Sequence, residues 1–154
     1  MNADEAELTP GEALREFLET LLDAFALDGN VSIDEQDGIL LGSIDGPEVE
    51  PLLGAGAAVL DAIQHLAQRV VLRGGEGLRV LVDVAGYRAQ RETELRATAD
   101  RAADTAIAEQ RPVSLAPMSA TERRFVHEHL RERAEVATHS EGEEPHRRLI
   151  VAPL

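Results

Sequence analysis

Apolar positions in the first part of the chain follow a helical spacing and then a strand spacing. Residues 11–27 carry large apolar side chains three and four positions apart, which predicts an amphipathic helix: Leu14, Phe17, Leu18, Leu21, Leu22 and Phe25. Val31 and Ile33 then alternate with polar neighbours. Asp37-Gly38, a dipeptide that favours a tight hairpin turn, comes next and is followed by the apolar Ile39, Leu41 and Ile44. We therefore expect a helix followed by two antiparallel strands.

The pattern returns to helical spacing after Pro47. It predicts a short helical turn around residues 49–53, a break of small residues, and a second helix over about 57–72. A glycine turn at 74–77 separates this helix from a third strand, in which apolar residues alternate over 78–84. The predicted order of this part is α-β-β-α-α-β.

The rest of the chain begins with an uninterrupted helical pattern over residues 87–110. A short strand at 113–115 follows, and then a helix whose start is clearly marked. Ser119 can cap the amide N–H three residues on, and Glu122 can reach back to the N–H of Ser119. Two further strands, the last over 149–151, complete a small three-stranded sheet. The whole pattern predicts an α+β protein of one or two domains.

Charge is distributed unevenly along the chain. The net charge is −14, from 29 acidic residues and 15 arginines. Residues 1–50 hold 14 of the acids and one arginine, so the excess negative charge that would repel nucleic acid belongs mainly to the first third. The absence of cysteine excludes disulfides and thiolate metal sites. No apolar run approaches the length of a membrane span, and we expect a cytoplasmic protein.

The capped helix carries the most distinctive side chains. Arg123 and His127 lie four residues apart and Arg124 and His127 three apart, so the three can share one side of the helix. Arg131 follows one turn later. An arginine fork and an imidazole at this spacing suit a phosphate or a base edge. The alternative is a solvated helix face, because charged residues at this spacing are common on exposed helices.

Several segments share a pattern with known nucleic-acid-binding domains. In the second half these are Glu122 to His127 (ERRFVH), Thr138 to Pro145 (THSEGEEP) and the pair Arg147-Arg148. They resemble the RxxxH domain of the bacterial Jag (KhpB) family, which is named for an arginine and a histidine with three residues between them. Upstream, residues 52–54, 60–66 and 82–88 are similar to the KH domain of the same family.

The resemblance implies a type II KH-like domain joined by a long helix to a small α/β RxxxH domain with a three-stranded sheet. It divides the chain into a disordered tail at 1–10, a KH-like domain at 11–86 and an RxxxH domain at 87–154. It further implies a non-enzymatic protein that binds single-stranded RNA, or single-stranded DNA, as an RNA chaperone or a post-transcriptional regulator linked to cell shape and elongation. Its protein partner would be a small KH-domain protein or a second copy of the chain.

The binding residues that the resemblance implies lie in the RxxxH domain: Arg123, Arg124, His127, Arg131, Ser140, Gly142, Arg147 and Arg148. A KH domain also clamps about four nucleotides with a GxxG loop. This chain has Gly54, Ala55, Gly56 and Ala57 at that place, so the final glycine and any basic residue are missing. Acidic residues flank the loop and would repel phosphate. We expect a weaker contact there, and the alternative is a scaffold or dimer surface.

Metal and enzyme functions have little support in the sequence. His127 and His129 point about 200° apart on a helix, which does not suit two zinc ligands. His139 and His146 flank a turn near Glu141, but no cysteine accompanies them. We therefore expect no metal and no cofactor. We also expect no catalysis, because a nucleophile elbow and a phosphate loop are both missing. The competing hypothesis is a protein-interaction or scaffold module whose acidic first third docks a basic partner, with RNA binding by the KH-like domain lost.

Overall fold

The computed structural model describes residues 8–72 and 77–154, and it divides into two compact units between Arg88 and Ala89. Each unit combines helices with a three-stranded sheet, which confirms the α+β class. Residues 1–7 of the predicted tail and residues 74–76 of the predicted glycine turn lie outside the described residues. Across the described ranges, no helix combines the length and apolar composition that crossing a membrane requires.

The first unit begins with helix α1 (Pro10–Ala24). Its start is fixed by a capping box that we did not predict: the amide of Glu12 donates to the Thr9 hydroxyl at 3.3 Å, and the Thr9 amide donates to the Glu12 carboxylate at 2.9 Å. Pro10 suits the first helical position because that position needs no N–H donor. The helix therefore begins inside the segment predicted as a tail, and its buried stripe is Leu14, Leu18 and Leu22.

Strands β1 (Asn30–Gln36) and β2 (Ile39–Asp45) form the predicted antiparallel hairpin. Helix α2 (Ala58–Val71) then leads to strand β3 (Arg79–Val84), which pairs with β2 in parallel and gives the sheet order β1-β2-β3. The apolar sides of α1, α2 and the sheet enclose one hydrophobic core. Assignment of this unit to the KH-like domains remains a prediction.

Side chains bond to the middle of the outer edge of β3. The Gln64 amide nitrogen donates to the Val80 carbonyl at 2.7 Å, and the Gln64 amide oxygen accepts from the Val82 N–H at 2.7 Å. Arg88 Nε donates to the Val82 carbonyl at 2.9 Å. These bonds give the Val80 carbonyl and both backbone groups of Val82 the partners that a neighbouring strand would otherwise supply.

The loop between β2 and α2 has an unusual backbone. A 3-10 turn (Glu50–Leu52) stands where a helical turn was predicted over 49–53. Gly54, Gly56 and Ala57 follow with φ values of 68°, 60° and 62°. A Cβ on Gly54 would lie 2.4 Å from Cγ2 of Val59, so that position requires glycine. Ala57 adopts the left-handed conformation with a side chain, at a cost of about 1–2 kcal/mol.

The second unit holds most of helix α3 (Tyr87–Glu109), followed by β4 (Val113–Ser114), α4 (Ala120–Leu130), β5 (Val136–Glu141) and β6 (Arg148–Pro153). Its three strands form an antiparallel sheet in the order β4-β6-β5, which agrees with the predicted three-stranded sheet. Four alanines on one side of α3 are buried, namely Ala99, Ala102, Ala103 and Ala106, because small side chains let neighbouring elements approach closely. The core of this unit consists of these alanines and apolar residues of α4, β5 and β6.

Candidate nucleic-acid interface

Helix α4 begins at the residue that the capping pattern predicted. The Glu122 amide donates to the Ser119 hydroxyl at 3.3 Å, and the Ser119 amide donates to the Glu122 carboxylate at 2.9 Å. The other oxygen of Glu122 accepts from Arg91 Nε on α3 at 2.7 Å. The start of α4 is therefore fixed both to its own cap and to the neighbouring helix.

Arg123 is buried, although the sequence predicted it as a surface contact. Its side chain is only 8% exposed. Nη1 donates to the carbonyl of Met118 at 2.7 Å, and Nη2 donates to Oε1 of Glu144 at 2.5 Å. The Met118 amide in turn donates to the carbonyl of Arg147 at 3.2 Å. Arg123 thus ties the turn between β5 and β6 to the residues before α4, which is a positioning role.

The contact with Arg123 also sets the charge state of Glu144. The hydrogen bond from Arg123 holds the pKa of the Glu144 carboxyl below its usual value. Loss of hydration opposes this shift, and the positive charges of Arg123 and Arg147 add to it. The carboxylate is ionised at neutral pH and compensates the buried guanidinium.

A shallow groove of about 360 Å³ lies between the first half of α4 and strand β5. It is lined by residues of both elements and one residue of β6: Ala120, Arg123, Arg124, His127, Thr138, His139, Ser140 and Leu149. Four of these were predicted as site residues from the sequence, namely Arg123, Arg124, His127 and Ser140. The fold therefore brings the arginine–histidine helix face and the polar strand together.

Arg124 and His127 supply the accessible polar groups on the helix side of the groove. The Arg124 side chain is 80% exposed, and its Nε donates to the Glu128 carboxylate at 2.9 Å. An exposed pair of this kind is worth little, so a phosphate can replace the carboxylate. His127 Nδ1 is hydrogen-bonded to the Thr138 hydroxyl, which fixes the orientation of the ring. Among the described residues, Nε2 of His127 has no hydrogen-bond partner.

The other predicted contacts lie outside the groove lining. Arg131 is exposed at the C-cap of α4. Gly142, with a φ of 90°, begins the turn after β5. Arg147 ends that turn, and Arg148 begins β6 opposite Glu141. Both arginines are exposed. Their part in binding remains a prediction.

Two polar residues of the groove, Thr138 and His139, were not among the predicted site residues, and neither were the apolar Ala120 and Leu149. Thr138 contacts His127 across eleven positions of sequence, a contact that only the folding of β5 onto α4 creates. One signal was available, because Thr138 and Ser140 are polar residues two apart in a predicted strand and so share a face. The sequence indicated the polar face but not the histidine that it meets.

The glycine loop of the first unit offers a different environment. A Cβ on Gly56 would meet nothing within 4 Å, so the loop tip is open. The residues up to Arg88 include 17 acidic residues and 5 arginines, whereas the later residues include 12 acidic residues and 10 arginines. The groove therefore lies on the nearly charge-balanced unit. In the ranges 8–72 and 77–154, no three acidic or histidine side chains are placed to hold a metal ion.

Residues 93–153 match the R-three-H domain, which confirms the resemblance of this part of the chain to an RxxxH domain. The chain is also similar to proteins named RNA-binding protein KhpB. It is 34% identical to that of Clostridium symbiosum, over 89% of this chain and 63% of the relative. It is 30% identical to that of Lactiplantibacillus plantarum, over 96% of this chain and 46% of the relative. It is 28% identical to that of Bacillus subtilis, over 95% of this chain and 72% of the relative. The chain thus spans about half to three quarters of these relatives' lengths.

Proposed function

We propose that this chain is a Jag/KhpB-type protein that binds single-stranded RNA. The match of residues 93–153 to the RxxxH domain and the similarity to proteins named RNA-binding protein KhpB support this function. The groove between α4 and β5 is its principal binding surface. One observation carries the proposal: an exposed arginine, an oriented histidine and strand hydroxyls line one groove on the less acidic unit.

Each groove residue has a distinct role in this proposal. Arg124 contacts a phosphate, because its guanidinium is exposed and only weakly held by Glu128. His127 directs its ring at a base or sugar through the edge that Thr138 leaves open. Arg123 supports the surface from below. Outside the groove lining, Arg131, Arg147 and Arg148 hold flanking phosphates, and Gly142 allows the tight turn that leads to Arg147 and Arg148.

The first unit supports this function as a scaffold, a weaker second site at residues 54–57 or a dimer surface. The protein is proposed to be non-enzymatic and cytoplasmic, with a small KH-domain protein or a second copy as partner. Single-stranded DNA is an alternative ligand of the same groove. Roles as an RNA chaperone, in post-transcriptional regulation or in cell shape remain predictions from the family resemblance.

Salt-dependent binding of labelled single-stranded RNA tests the proposal. Affinity for a short unstructured RNA is expected to fall linearly on a log–log plot between about 50 and 200 mM salt, because phosphate contacts release counterions. Arg124→Ala is expected to weaken binding and to reduce the salt slope by about one. Fluorescence anisotropy, with each protein titrated over the same concentrations, measures the RNA affinity and its salt slope.

Arg111→Ala is the matched control. Arg111 is also an exposed arginine of the second unit paired with one glutamate, Glu109, but it does not line the groove. Its removal changes net charge by the same amount and is expected to leave the slope unchanged. A wild-type protein without a salt slope, or equal losses in the two variants, would contradict the groove as the binding surface. Binding of a basic protein without RNA binding would favour the interaction-module hypothesis.

A further inference from the structure

Strand β5 has one edge without a neighbouring strand in the described part of the chain, since the sheet order is β4-β6-β5. Three backbone hydrogen bonds show which of its residues face that edge. The Leu154 amide donates to the Glu135 carbonyl, so Glu135 faces β6. The Leu149 carbonyl accepts from Leu115 on the β4 side, so Leu149 faces away from β5. Its register partner Ser140 must then face away from β6.

The same alternation applies along the whole strand, because the register of β5 and β6 contains no bulge. Val136, Thr138 and Ser140 therefore direct their N–H and C=O groups to the free edge. The Val136 amide confirms this direction, since it donates to the Arg133 carbonyl outside the sheet. In the described ranges, no backbone partner occupies the N–H or C=O groups of Thr138 and Ser140.

Thr138 and Ser140 also line the groove, so their free backbone groups lie at its border. Resting on the proposed function, we propose that these peptide groups hydrogen-bond the Watson–Crick edge of one unpaired RNA base. An unpaired base presents a donor and an acceptor on that edge, and each of these strand residues presents an acceptor and a donor. Arg124, across the groove, binds the adjoining phosphate.

The geometry fits a base better than an added peptide strand. Strand addition depends on a row of free backbone groups and on pockets for alternate side chains. Here the Val136 amide is already bonded and the turn begins at Gly142, which leaves only two residues with both groups free. Thr138 and Ser140 are small and polar rather than pocket-forming. One base needs only one donor and one acceptor.

A proline substitution tests the backbone contact directly. Ser140→Pro removes the outward N–H, and proline is tolerated on edge strands where the lost N–H faces outward. We expect it to weaken binding of an oligouridylate about three- to tenfold, the effect of losing one hydrogen bond. An oligomer of N3-methyluridine, whose Watson–Crick edge is blocked, should bind the wild-type protein correspondingly weakly and show no further loss with Ser140→Pro.

Ser114→Pro is the matched control on the opposite edge of the same sheet. The Leu115 amide faces β6, so the exposed Ser114 directs its own N–H outward. The control should bind the oligouridylate as the wild type does. Ser140→Ala removes only the hydroxyl, so its comparison with Ser140→Pro separates the effect of the hydroxyl on binding from the effect of the N–H. Thermal unfolding of each variant shows whether the fold is retained.

Hydrogen exchange on the wild-type protein provides a second readout that needs no variant. The amides of Thr138 and Ser140 should exchange rapidly in the free protein and become protected when the oligouridylate binds. If the wild type binds both oligomers equally and these amides gain no protection, the base contact is refuted while RNA binding stands. If no RNA binds at all, the proposed function fails. Protection that depends on protein concentration alone would show that a second copy occupies the edge, which also overturns the inference.

Discussion

The glycine loop at residues 54–57 and the groove between α4 and β5 differ in which features suited to nucleic-acid binding they have. The loop has three positive φ values and an open tip, but no basic residue accompanies them. The groove has an ordinary strand and helix backbone, together with an exposed arginine and an oriented histidine. Backbone shape and binding chemistry are therefore separable, and each unit of this chain has mainly one of them.

The largest expected effect comes from removing the buried support of the groove. Arg123→Ala should lower the free energy of unfolding by about 1–3 kcal/mol, because it leaves the Met118 carbonyl without its donor and releases the turn that Glu144 anchors. Arg124→Ala should remain within about 0.5 kcal/mol of the wild type, since that side chain is exposed. Urea unfolding measures both. Unchanged stability in Arg123→Ala together with lost RNA affinity would make Arg123 a direct contact instead.

An intermediate effect is expected from acid. The pKa of Glu144 is lowered by its hydrogen bond from Arg123, so the carboxylate favours the folded state above the unfolded pKa. This contribution should disappear as pH falls through the lowered pKa of the folded protein. Melting temperatures of the wild type and Glu144→Gln should therefore differ most near neutral pH and converge at acidic pH. Parallel curves across that range would show that the contact does not stabilise the turn.

The smallest effect is expected at the glycine loop. Gly56 and Gly38 both have positive φ and open space for a side chain, and aspartate tolerates this backbone conformation. Gly56→Asp and Gly38→Asp thus introduce the same charge into the same unit at similar structural cost. RNA affinity should differ by less than about twofold between them, a change within about 0.4 kcal/mol. A loss confined to Gly56→Asp would show that the loop binds RNA and would reverse the comparison.

The sequence predicted those features that depend on neighbouring residues. The capping box of Ser119 and Glu122 and the hairpin around Asp37-Gly38 follow from local spacing, and the structure confirms them. Of the apolar stripe predicted for α1, Leu14, Leu18 and Leu22 are buried, whereas Phe25 lies beyond the end of the helix and is exposed. The burial of Arg123 could not be predicted in this way. It depends on Glu144, which lies 21 positions away and meets the helix only after β5 and β6 have formed their hairpin.

The same limit applies to the groove as a whole. The arginine–histidine spacing indicated a shared helix face, but the groove exists only because Thr138, His139 and Ser140 lie opposite that face. The start of α1 at Thr9 was missed although local spacing indicated it. Glu12 three residues later and a proline between them mark a helix start. That signal lies in a polar segment that resembled a tail.

The side-chain bonds along the β3 edge bear on how the protein behaves when it is concentrated. Open strand edges are templates for aggregation, and proteins commonly protect them with charged residues or bulges. Gln64 protects this edge with a neutral amide that imitates a peptide group, while Arg88 covers the next carbonyl. The middle of the β3 edge is therefore not available for pairing with a further strand. This protection against strand pairing does not depend on the chain's net charge, and it should persist when salt screens that charge.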